Sequence, residues 1–157
     1  ALDVQGSTLD NNDGGLILGT TRTGISANEL NNSAGRLQSA GAMTLAGLSL
    51  LDNRQGSIVA NGPLNINNGS NARFARLAFS APSLALLNQN GVVQSGATMA
   101  VNARTLDNQG GKLQSQQDFT LGVQQDYVQR ASDILTSNGT LTMSVAGMFT
   151  NLNDWLL

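Results

Sequence analysis

The side chains able to do chemistry are few in this chain, and their types limit what that chemistry could be. Histidine and cysteine are both absent. The commonest general base and metal ligand is therefore missing, as are thiolate metal sites and disulfides. Carboxylates remain. Asp10, Asp52 and Asp107 recur at one position of a repeated pattern, beside a recurring Asn. Acids brought together on one face by such a repeat could serve a carbohydrate-active enzyme. The pattern fits solvent-facing residues that start a turn better. The DNND stretch at 10–13 is the best place for a calcium ion, yet it supplies only two carboxylates where several must converge. Arg73 and Arg76 flank Phe74 and stand near Phe79, a set that could meet a protein partner. The sequence thus offers no catalytic, cofactor-binding or metal-binding set. It does offer a polar series, Asn11, Asn32, Asn53, Asn88 and Asn108, suited to a structural ladder.

These residues are placed by a ruler. From Leu51 there is an Asn two residues on, a Gly five on, an aliphatic at seven, and apolar residues at thirteen and fifteen. The same offsets start at Leu30, Leu86 and Leu106, with weaker copies at Leu9, Val128 and Phe149. Successive starts lie 21, 21, 35, 20, 22 and 21 residues apart. Such a period marks stacked units, none able to bury its apolar face alone.

Within each unit, short apolar-polar alternation points to strands of about three to five residues. Asn and Gly between them suit the left-handed backbone that sharp corners use. The expected fold is all-β: a right-handed parallel β-helix, or solenoid, of about seven coils of roughly 21 residues, with one excursion. At about 4.8 Å per coil the rod would be ~30 Å long. One stretch, from Leu45 to Asn53, fits a leucine-rich repeat, but no other unit does. Apolar residues make up 40% of the chain and sit at fixed offsets, which argues against a flexible low-complexity chain.

The pattern departs from the ruler in four places. Arg22 and Gly24 stand where the Leu9 unit should be apolar, predicting a small insertion or bulge in GTTRTG. Residues 67–85 add about fourteen residues to one period and read as an irregular insertion from a corner. The Val128 unit carries Arg130 and Asp133 in place of Asn and Gly. Residues 149–157 open a unit and stop, which would leave Trp155, Leu156 and Leu157 exposed unless capped or continued. Residues 1–157 therefore read as one β-helical segment cut from a longer array, and the opening ALDVQGS as mid-domain sequence without a signal peptide. Net charge is −2 with no basic patch, so nucleic acid is not an expected partner. No apolar run reaches the eighteen residues of a transmembrane helix.

The units LNNSAGRLQSAGAMTL, LDNRQGSIVANGPLNI and LDNQGGKLQSQQDFTL resemble the filamentous-haemagglutinin repeat. The resemblance covers residues 9–157 except 67–85. That repeat builds the shafts of exoproteins exported by two-partner secretion, both adhesins and contact-dependent growth inhibition proteins. It implies a shaft displayed on the outer surface of a Gram-negative bacterium, with an outer-membrane transporter as partner during export. The family's secretion domain, with its NPNG-type signatures, is not in this sequence, nor is a toxin-like domain. The expected role is a shaft segment projecting an adhesive or toxic module. The alternatives are an adhesin segment that contacts a receptor on a host or neighbouring bacterial cell, and a carbohydrate-active enzyme fragment.

Overall fold

The computed structural model describes residues 1–67 and 83–152. The first coil comprises β1 Leu2–Gln5, β2 Thr8–Asp10 and β3 Leu16–Gly19. The second is β4 Thr23–Ser26, β5 Glu29–Asn31 and β6 Arg36–Ser39, and the third β7 Met43–Ala46, β8 Leu50–Asp52 and β9 Ser57–Ala60. The fourth is β10 Leu64–Ile66, β11 Ala85–Leu87 and β12 Val92–Ser95, and the fifth β13 Met99–Ala103, β14 Thr105–Asp107 and β15 Lys112–Ser115. The sixth is β16 Phe119–Val123, β17 Tyr127–Arg130 and β18 Ile134–Ser137, followed by β19 Leu141–Val145 and β20 Phe149–Leu152. The described residues therefore make six three-strand turns and two strands of another, where the ruler predicted about seven coils.

Every strand pairs in parallel with its counterpart one coil away. The first sheet runs β1-β4-β7-β10-β13-β16-β19. The second runs β2-β5-β8-β11-β14 and stops there, β17 and β20 pairing as a separate two-stranded sheet, and the third runs β3-β6-β9-β12-β15-β18. The result is a β-solenoid whose three faces enclose a single apolar core. Parallel neighbours must lie one whole coil apart in sequence, because the chain has to travel the other two faces before it returns.

Alternation along each short strand sends every second side chain inward, and register stacks like upon like. On the third sheet Ile17, Leu37, Ile58, Val93, Leu113 and Leu135 form one column. On the second, Leu9, Leu30, Leu51, Leu86 and Leu106 do the same. Leu37, Ile58, Val93 and Leu113 are fully buried. Register survives the long interval in the fourth coil, where Leu51 faces Leu86.

Several local expectations are corrected. GTTRTG carries no extra residue: Thr23 and Ile25 face Met43 and Leu45, and both are buried. The extra residue of the first coil lies earlier, between Asn11 and Ile17, a corner with consecutive positive φ angles at Asp13 and Gly14. That shift points Ile17 inward and leaves Leu16 60% exposed. In β17 of the sixth coil the fully buried residue is Tyr127, and Val128 lies outside. Tyr127 faces Phe149, its ring 5.9 Å away and stacked, so the last two units are 22 residues apart in register, not 21.

The reason for the repeat glycine also changes. In the corner from the second sheet to the third, Asp13, Ala34, Gln55 and Asn90, each two residues after a ladder Asn, are left-handed. Only the fifth coil puts a glycine there, Gly110. The recurring Gly35, Gly56, Gly91 and Gly111 come one residue later, where a Cβ would run into the carbonyl oxygen of an Asn in the preceding coil. Close backbone approach selects them, rather than φ.

Candidate functional site

The ladder asparagines sit just past the inward leucine of the second sheet, so each side chain turns into the corner leading to the third. Asn11 Nδ2 donates to Asn32 Oδ1 at 2.7 Å, and Asn32 Nδ2 to Asn53 Oδ1 at 2.8 Å. Asn53 donates to Asn88 and Asn88 to Asn108, both at 2.7 Å. Each of the first four amides also reaches a backbone carbonyl of the next coil: Arg36, Ser57, Val92 or Lys112. All five side chains are buried. An unpaired amide there would be costly, and a row of identical amides supplies each one with both donor and acceptor.

The row ends at Asn108, whose Nδ2 turns back to the Gly111 carbonyl at 3.2 Å. In the sixth coil Gln129 follows the inward Tyr127 by two residues. It donates to the Asp133 carbonyl and accepts from the Tyr127 hydroxyl at 2.6 Å. Burial pushes the Tyr127 phenol well above its ordinary range, and the nearby Asp133 charge adds to this. The phenol therefore stays protonated and serves as a donor.

A second polar row was not singled out from the sequence. Ser39, Ser95, Ser115 and Ser137 share one register position, with Ala60 in the third coil. Ser39 Oγ donates to the Ala42 carbonyl at 3.0 Å, and Ser95 Oγ lies 2.9 Å from the carbonyls of Gly62 and Thr98. These hydroxyls satisfy the turn from the third sheet to the first. Their signal was a Ser nine residues after the starts at Leu30, Leu86 and Leu106.

The carboxylates take the outer side of the second sheet. Asp10, Asn31, Asp52, Leu87 and Asp107 occupy one column. Asn31, Asp52 and Asp107 each accept the backbone N–H two residues on, at 3.1 to 3.2 Å, which starts the corner. The Asp52 carboxylate is also gripped by Arg54 through Nε and Nη2. That hydrogen bond holds Asp52 below the usual carboxylate range, although partial burial opposes it. Asp52 is thus kept ionised, the reverse of what a general acid requires. Thr8, Asp10, Glu29, Leu30, Asn31, Leu50 and Asp52 line a depression of about 230 Å³ on this face. Its acids do not converge, and among the described residues no group of three or more His, Cys, Asp or Glu could share a metal ion. Arg73, Phe74, Arg76 and Phe79 lie outside the described residues, as do Trp155, Leu156 and Leu157. No helix among the described residues is long and apolar enough to cross a membrane.

Comparison with known proteins identifies the repeat. Residues 1–62, 48–73, 59–145 and 119–153 match the haemagglutinin repeat. Toxin CdiA of Yersinia pestis is 30% identical over 114 residues, which is 73% of this chain and 3% of that protein. The chain thus spans a small fraction of the length of this relative. No solved structure matches it.

Proposed function

Because the chain belongs to the haemagglutinin-repeat family, we infer that it is a stretch of shaft in an exoprotein secreted by a Gram-negative bacterium. Its task is mechanical: to hold an adhesive or toxic module away from the cell surface, toward a target cell. Residues 1–157 form one β-helical repeat segment of a longer array, and residues 67–85 an insertion at one corner. The partner during export is an outer-membrane transporter that passes the chain unfolded. The coils then stack outside, each templating the next.

The observation that carries this reading is the continuous register of the first and third sheets over the described coils. Cross-coil backbone bonds run along the rod axis, so bending it must stretch or compress whole sheets. The absence of cysteine is compatible with threading, since no disulfide can obstruct a pore.

The test is removal of this stretch from the full-length exoprotein. A shaft role predicts that export and surface display persist and that the stick, viewed by electron microscopy, shortens by about 30 Å. Unchanged length, or lost export, contradicts it. Lost target-cell binding after deletion of only the corner insertion, with folding and stick length intact, would assign the stretch to receptor contact instead.

A further inference from the structure

The outer faces of the second and third sheets carry opposite charge on the same coils. On the third sheet, Arg36 of the second coil and Lys112 of the fifth occupy one outward column, three strand steps apart. At the usual strand spacing that is about 14 Å. On the second sheet the exposed acids of those same coils are Glu29 and Asp107. Among the described residues none of these four has an ion-pair partner; Asp107 is held by the Gln89 amide at 2.6 Å.

Between the charges the outward positions are mixed: Asp52, covered by Arg54, stands on the second sheet, and Ser57 and Gln94 on the third. The third and fourth coils present Val59 and Val92 on the third sheet, and Leu50 and Leu87 on the second, all partly exposed. Each face is therefore a low strip that mixes aliphatic and polar side chains, bracketed by two cations on the third sheet and two anions on the second.

We propose that the second sheet of one copy of this chain docks on the third sheet of another, pairing Arg36 and Lys112 with Glu29 and Asp107 on either side of Leu50, Leu87, Val59 and Val92. The contact is heterologous, so in a docked pair one copy keeps its third sheet free and the other its second, and shafts can associate side by side without closing. With the copies parallel, Arg36 meets Glu29 and Lys112 meets Asp107. Inverting one copy exchanges the partners and keeps the sign match. The strip is four coils high and two outward columns wide, roughly 200–300 Å² per copy. That is well below the ~800 Å² per partner of stable complexes, so one segment associates weakly and neighbouring coils add to the contact along a longer shaft.

Sedimentation equilibrium of the 157-residue chain at concentrations up to about 1 mM tests this, because a contact of this size falls in the weak range. Concentration-dependent association at 50 mM salt, weakened about tenfold at 500 mM, is expected of charge-framed docking. The double variant R36E/K112E makes both faces acidic, and E29K/D107K makes both basic. Each alone should be monomeric, and an equimolar mixture should associate again. Circular dichroism verifies folding of the variants; should a double variant unfold, K112E mixed with D107K carries the same test. A wild-type chain that stays monomeric, association unchanged in the single-face variants, or a mixture that fails to associate each overturns the proposal.

Discussion

Replacing Asn53 by Ala strikes the middle of the amide row. The side chain accepts from Asn32 at 2.8 Å, donates to Asn88 at 2.7 Å and donates to the Val92 carbonyl at 3.1 Å. It has no exposure to solvent. Three buried hydrogen bonds at about 1 kcal/mol each are lost. Asn88 Oδ1 is left without its donor in a dry corner, adding roughly 1 kcal/mol or more. Asn32 Nδ2 retains the Ser57 carbonyl at 3.2 Å, which limits the damage on that side. The expected loss is about 4 kcal/mol. Asn11 stands at one end of the row, donating to Asn32 and to the Arg36 carbonyl, and is 6% exposed. Asn11→Ala should therefore cost about half as much, because water can take over at the end.

Urea titrations followed by circular dichroism measure both variants against the parent. Equal losses, or a loss below about 1 kcal/mol for Asn53→Ala, would refute the idea that the amides act as a connected row. Asn53→Asp sharpens the test. Its carboxylate would face two acceptors, Asn88 Oδ1 and the Val92 carbonyl, raising its folded-state pKa above the unfolded ~3.9. The folded chain then binds more protons than the unfolded one above that pH. Stability should fall as pH rises through this window and be least impaired in acid.

Three further outcomes follow from the packing. Ile58→Asp places a carboxylate in a fully buried column, and loss of the native circular dichroism spectrum and of the cooperative melt is expected; a native melt would contradict the core assignment. Gly56→Ala drives a Cβ into the Asn32 carbonyl and should lower stability by roughly 3 kcal/mol, whereas Gln55→Gly, at φ 57°, should be neutral or mildly stabilising in the same thermal assay. Arg54→Ala releases Asp52, so the stability that pairing contributes, present above the unfolded carboxylate pKa and lost as pH falls through the lowered folded one, should vanish from the acid limb of the pH–stability profile while neutral-pH melting changes little.

The period of the chain was legible because the inward positions are filled by aliphatics whose spacing is the length of one coil. Leu37, Ile58, Val93 and Leu113 declare their column by type alone. The places that misread share a cause: a corner can absorb one residue without changing the strands on either side. Leu16 and Ile17 are both aliphatic, so periodicity cannot say which turns inward once the corner at 12–15 lengthens. Tyr127 and Val128 pose the same ambiguity, settled by Tyr127 stacking on Phe149 and reaching Gln129. Glycine misled for another reason. Its frequency at corners suggests φ freedom, but at Gly56 the constraint comes from the coil beside it, which no single unit contains. The serine row went unweighted because hydroxyls are common in this chain, and only register shows that four of them stack.

The central claim is that equivalent positions of successive coils lie one strand spacing apart along a single axis. The chain has no cysteine, so paired spin labels can be introduced cleanly. Leu18, Gln38, Gln94, Gln114 and Thr136 share one outward column with Val59 between Gln38 and Gln94. Labels at Leu18 and Thr136, five steps apart, should sit about 24 Å apart, and labels at Leu18 and Gln114 about 19 Å apart. Distances that rise by one strand spacing per coil are what a parallel stack requires. Broad distributions, or separations that do not grow step by step along the column, would contradict it.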